Sequence, residues 1–140
     1  MTDRFFSLRL NCTYQGAENN IDDLTIEVLN DGEWETLELG IRSPGFLLFI
    51  NGLFSCQHLY MRTNSAERDL VLDNASGEFE VVADATWHIQ TVDVTFSVEL
   101  KSGSPSEDDI AYIKDRMGHC PVSSNLPESI QLNKSIHFHG

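Results

Sequence analysis

The chain has 140 residues, with 9 basic against 22 acidic side chains and a formal net charge of -13. That length suits one domain, which hides roughly two-thirds of its unfolded surface and so builds a real core. The acidity argues against nucleic acid and anionic membrane surfaces as partners, since both need a basic stripe, and its plain reading is solubility.

Asp3, Arg4 and Arg9 interrupt the N-terminus before any apolar run of signal-peptide length. The longest apolar stretch, around Phe46 to Phe54, contains Asn51 and Gly52 and is too short to span a bilayer. A cytoplasmic location is expected, and the glycosylation-type triplets Asn11-Cys12-Thr13 and Asn74-Ala75-Ser76 are then chance matches. Three cysteines are too few, and odd in number, for a disulfide framework.

Along the chain, Leu8, Leu10 and Cys12 alternate with Ser7, Arg9 and Asn11 as in a half-buried strand. A polar loop is expected from Gln15 to Asp23. A strand with Leu24, Ile26 and Val28 follows, then an Asn30-Asp31-Gly32 turn and a partner strand through Trp34, Leu37 and Leu39. Ser43-Pro44 predicts a helix start, with serine as cap and proline at the first helical position. The central helix is expected over 43–63. Its apolar residues surround the whole circumference, which predicts burial on nearly all sides. Cys56 lies inside it, and Gly52, four residues earlier, leaves room for another backbone on that face.

Strands are expected over 68–100: a short one at Leu70-Val71-Leu72, a turn from Asn74 to Gly77, one from Phe79 to Ala83 and a clear one from Thr91 to Leu100. Ser104-Pro105-Ser106-Glu107 reads as a capping box that opens a second helix over 104–118, with Ile110, Ile113 and Met117 as its apolar stripe and Gly118 as its stop. Cys120-Pro121 starts a short helical turn, and a last strand carries Ile130, Leu132, Ile136 and Phe138 inward, so 120–139 is turn plus strand. The fold class is α+β, a mostly antiparallel sheet packed on two main helices in a single domain.

Read locally, Cys120 is the better activated thiol. It sits near the start of a helical segment, where free backbone N–H groups stabilise a thiolate, with His119 beside it. A cysteine that merely caps a turn fits the same pattern. Cys56 in an apolar helix and Cys12 on the apolar face of a strand read as core thiols. A zinc site from Cys56, His58, His119 and Cys120 fails on geometry, because helix positions two apart point about 200° from each other. His137 and His139 read as exposed at the terminus. No metal or cofactor is expected.

The residues so placed resemble the OsmC/Ohr family of thiol-dependent hydroperoxide reductases. Three features carry the resemblance: Ser43-Pro44 opening an apolar helix that ends in Gly52-Leu53-Phe54-Ser55-Cys56-Gln57-His58; the strand pair from Phe79 to Leu100 followed by a helix; and Cys120-Pro121-Val122-Ser123-Ser124-Asn125, close to the family's C-P-x-S-x segment. They cover roughly residues 40 to 139. The resemblance implies an OsmC-like intertwined homodimer with its active sites at the dimer interface. It makes Cys56 the attacking thiol on an organic hydroperoxide, Cys120 the resolving thiol and a dithiol the reductant. The family's arginine after the first strand and glutamate near the start of the central helix have no counterpart, since Gln15 to Asp23 is acidic and no acid lies between Ser43 and Cys56. Arg42, just before the helix, is the substitute available, with Arg9 less suited. The alternative function is a non-peroxidatic OsmC-like dimer that binds a small apolar or thiol ligand at the dimer interface; a third is a structural protein with sealed core cysteines.

Overall fold

A computed structural model describes residues 2–140. Six strands make one sheet: β1 (Arg4–Gln15), β2 (Asn20–Asn30), β3 (Glu33–Thr36), β4 (Val71–Ala83), β5 (Ile89–Ser102) and β6 (Gln131–His139), in the spatial order β3-β2-β1-β4-β5-β6. All neighbours are antiparallel except β5 and β6, which run parallel. A parallel pair needs a crossover, and the crossover carries helix α2 (Glu107–Met117) and a short 3-10 turn at Ser123–Asn125. Helix α1 (Gly45–Glu67) joins β3 to β4. The fold is therefore α+β, with a mostly antiparallel sheet and two main helices, as the alternation in the sequence implied.

Period-two patterning decides which strand face is covered. Leu8, Leu10, Cys12 and Tyr14 of β1, Phe79 and Val81 of β4, and Val92, Val94, Phe96 and Val98 of β5 are buried on one face. Helix α1 lays Ile50, Leu53, Phe54, His58 and Met61 onto that face. Phe54 is the centre of the contact: its ring stacks on Phe79 at 4.8 Å and on Phe96 at 6.1 Å between centroids. Phe54→Ala is expected to cost about 3–5 kcal/mol, the usual range for a fully buried aromatic, since the strands on either side cannot close on the cavity. Urea unfolding measures it; a loss under 1 kcal/mol would mean that α1 does not depend on this stack.

Several local expectations change. The polar stretch after β1 is no long loop: β2 begins at Asn20, and the turn between them is closed by Gly16 (φ 78°) and Asn19 (φ 57°). Asn19 makes this possible. It is fully buried, its Nδ2 donates to the carbonyls of Arg62 and Leu70, and its Oδ1 accepts from Leu72 N–H, so the turn is clamped to the α1–β4 link. β3 stops at Thr36, short of Leu39. The expected short strand, turn and strand between Leu70 and Ala83 are one strand, β4, which pairs with both β1 and β5. Gly77 is not a turn residue there. A Cβ on it would lie 2.8 Å from the Phe96 ring and 3.1 Å from Leu10, so glycine lets an aromatic ring cross the strand.

The central helix spans Gly45–Glu67 rather than 43–63, and its N-cap is Pro44, with no side-chain cap. Ser43 stands one position too early; its Oγ accepts from Gly40 N–H at 2.9 Å and closes the preceding turn. The second helix spans Glu107–Met117 rather than 104–118, and its capping box is Ser106 with Asp109, two residues on from the expected pair. The prediction that α1 is buried all round is also corrected: Leu48, Phe49 and Leu59 are 37%, 43% and 39% exposed, and Gly52 has nothing near its missing Cβ. The helix is apolar on both faces, but this chain covers only one of them.

Candidate active site

Two elements far apart in sequence bring Cys56 and Cys120 together. Cys56 lies mid-way along α1, and Cys120 follows directly on the end of α2, in the turn that leads to the 3-10 segment. The two cysteines lie close enough that each bears on the other's ionisation, and the Val122 N–H bears on both. Cys56 is half-buried at the margin of the uncovered helix face; Cys120 is fully buried.

The surroundings of the two sulfurs differ. Cys120 Sγ accepts from Ser123 N–H at 3.3 Å and from Gln57 Nε2 at 3.4 Å, and Ser123 Oγ lies 2.9 Å away. The Ser123 N–H bond is that of an N-cap side chain onto the third residue of a turn, so Cys120 is both a cap and a cradled thiol. Gln57 is held by a second bond, from its Nε2 to the Met117 carbonyl at 2.8 Å, which ties α1 to the end of α2. Burial acts against a Cys120 thiolate, but the bonds from Cys56, Ser123 and Val122 outweigh it and draw its ionisation below the ordinary thiol value. Cys56 goes the other way. Burial and then its interaction with Cys120 push it up to about 11, against a weaker pull from the Val122 N–H.

Lys134 of β6 is a cation whose ionisation Cys120 bears on. Its Nζ packs against Gly118, 2.8 Å from where a Cβ would stand, so a side chain there would displace it. Burial pulls the Lys134 ammonium down, while Asp115 and Cys120 hold it charged against Lys114. Gly118 thus does more than end α2. Its φ of -71° is open to any residue, and the Lys134 ammonium, the end of a flexible side chain, is what a Cβ there would have to move.

The other candidates lie elsewhere. Arg42 is exposed in the turn before α1. Cys56 is eleven residues into the helix, roughly 16 Å along its axis. Arg9 pairs with Glu27 at 2.7 Å and stacks over Trp34 on the sheet. His58 points away from Cys56, as helical spacing demands, and meets Tyr14 Oη at 2.6 Å in the core. His119 is turned to Asp115 at 3.6 Å. Cys12 is buried on β1, and His137 and His139 are exposed, as read from the sequence. Sequence reading missed Gln57, Ser123 and Lys134. A serine three residues after a cysteine that opens a turn was a usable sign for Ser123; Lys134 approaches only through the β5–β6 pairing and had none.

No protein-family model and no curated protein matches the chain. Solved structures do resemble it. An OsmC-like protein from Mycoplasma pneumoniae superposes with a TM-score of 0.57 at 11% identity, over 83% of this chain and 89% of that one. An OsmC-like hydroperoxide resistance protein from Jannaschia sp. ccs1 does so with a TM-score of 0.52 at 20% identity, over 86% and 85%. The chain has an OsmC-like fold. Within this OsmC-like fold, no helix among the described residues is long and apolar enough to cross a membrane. An apolar groove of about 410 Å³ runs from Phe46 and Phe49 past Trp87 to Leu126 and Ile130, and neither cysteine lines it.

Proposed function

We propose that the chain is a thiol peroxidase that reduces organic hydroperoxides, with Cys56 as the attacking and Cys120 as the resolving thiol. The observation that carries this is the convergence of the two cysteines from α1 and the end of α2, where Gln57, next to Cys56, donates to Cys120 Sγ at 3.4 Å and each thiol bears on the other's ionisation. Attack of Cys56 sulfur on the peroxide O–O bond makes a sulfenic acid and an alcohol; Cys120 sulfur then displaces water to close a disulfide, and a dithiol reductant reopens it. The half-exposed position of Cys56 supports its meeting the substrate first. The uncovered face of α1, with Leu48, Phe49, Gly52 and Leu59, supports a homodimer that buries it and encloses the site.

A second reading, a non-peroxidatic dimer that binds a small apolar or thiol ligand, is favoured by one observation: burial, Cys120 and Val122 set the ionisation of Cys56, and none of these is a cation. One experiment separates the two. The reduced protein is mixed with cumene hydroperoxide, and free thiols and cross-linked peptides are followed by mass spectrometry. The peroxidase loses two thiols per chain as a Cys56–Cys120 disulfide and regains them with dithiothreitol; retention of both thiols favours the second reading.

A further inference from the structure

We infer that Cys120 is the base that activates Cys56, doing the work of a cation that the described residues do not place beside the attacking thiol. The inference rests on the peroxidase reading and adds a role for Cys120 before its resolving step. Its ground is the unequal distribution of donors. Ser123 N–H, Ser123 Oγ and Gln57 Nε2 all reach Cys120 Sγ, at 3.3, 2.9 and 3.4 Å. Burial and Cys120 raise Cys56, against a weaker pull from the Val122 N–H. The Cys120 sulfur is therefore prepared for negative charge by the Ser123 N–H and Gln57 Nε2, with Ser123 Oγ beside it, and it neighbours the thiol that must lose a proton.

The charged and titratable groups around the pair agree. Lys134 on β6 is a cation raised by both Asp115 and Cys120 and lowered by burial and Lys114. His119 is occupied with Asp115 and stands outside the cradle. Arg42 is exposed before the start of α1, about half that helix's length from Cys56. Full burial keeps Cys120 from bulky substrates, whereas Cys56 is open at its margin. Base and nucleophile are thus divided between two sulfurs, one drawn toward the thiolate but sealed, the other raised but accessible.

The step balances. As Cys56 sulfur attacks the terminal peroxide oxygen, its proton passes to the Cys120 thiolate; the O–O bond breaks and its electron pair leaves on the alkoxide. Cys120 gives that proton to the alkoxide, which departs as alcohol, and is a thiolate again. It then attacks the Cys56 sulfenic sulfur, and the hydroxide displaced takes a proton from water to leave as water. Sulfur loses two electrons and the peroxide gains them.

A purely resolving cysteine has no part in the first chemical step, and the test uses that. Sulfenic acid formation at Cys56 is trapped with dimedone at limiting cumene hydroperoxide in the parent, in Cys120→Ser and in Ser123→Ala, from pH 6 to 10. In the parent the rate should rise with a midpoint below the ordinary thiol value. In Cys120→Ser it should fall about 10²-fold at pH 7, the scale of a lost general base, with its midpoint moved to higher pH. Ser123→Ala keeps both thiols and should slow the step several-fold. Equal first-step rates in the parent and Cys120→Ser overturn the inference and leave the peroxidase reading intact. Thiolate absorbance at 240 nm checks the same point without peroxide: the lower-titrating step should survive in Cys56→Ser and vanish in Cys120→Ser, and the reverse pattern overturns the assignment even if no peroxide is consumed.

Discussion

Replacing Cys56 by serine is expected to lower hydroperoxide consumption about 10³-fold or more, with the protein still folded. Serine has the size of cysteine, and position 56 lies half-exposed on α1, so no cavity opens and no core contact is lost. What is lost is the sulfur. A hydroxyl ionises far above any thiol and is a poor nucleophile toward an O–O bond, so the cradle around Cys120 has no partner to activate. Cys120 does not compensate, because it is fully buried. Cys12 serves as the control. It is buried on β1 with its Sγ donating to the Thr13 carbonyl at 3.4 Å, remote from the pair, and Cys12→Ser should keep the parent rate. Peroxide consumption with dithiothreitol as reductant measures both. A Cys56→Ser protein as fast as the parent would place the chemistry outside α1.

Acidification from pH 7 to pH 4 is expected to remove about 3 kcal/mol of stability through His58 alone. The side chain is 3% exposed, between Tyr14 and the Phe96 ring. Burial first, then Arg62, lowers its pKa from 6.5 to about 4. The sign follows from the depressed value. Above pH 6.5 the imidazole is neutral in folded and unfolded chains alike, and its contribution is complete. Between 6.5 and 4 the unfolded chain binds a proton that the folded chain refuses, so stability falls as the pH falls. The groups facing the ring are Tyr14 from β1 and Arg62 from its own helix. Tyr14 is also raised by burial and stays a neutral hydroxyl throughout this range. Urea midpoints at pH 7 and pH 4 measure the drop. His58→Gln is less stable at neutral pH but should lack this part of the pH dependence; an equal drop in both proteins would assign it to other groups.

The two cysteines show how far sequence reading reaches. Their elements were legible, because helix and strand periodicity and a cysteine followed by proline are local. The cradle was partly legible: the Ser123 bond to Cys120 is a capping pattern three residues long, whereas Gln57 comes from another element and Lys134 from another strand. The errors have a common cause. Asn74 to Gly77 carries turn residues, yet β1 and β5 pair with it from both sides and hold it extended. Ser43 and Ser104 look like caps, yet each helix starts later, after Pro44 and at Ser106. Local propensity is worth about 1 kcal/mol per residue or less and gives way to sheet pairing and packing.

By itself the sequence determined the α+β class, the inward face of each strand, the capped turn at Cys120 and the apolar excess of α1. These depend on neighbours one to four residues apart. Only the tertiary structure decided that Cys56 and Cys120 meet, that the cradle forms on Cys120 and that one face of α1 is left open. Each of these depends on where the crossover from β5 to β6 lays α2 against α1, a placement set by burial of the whole sheet face.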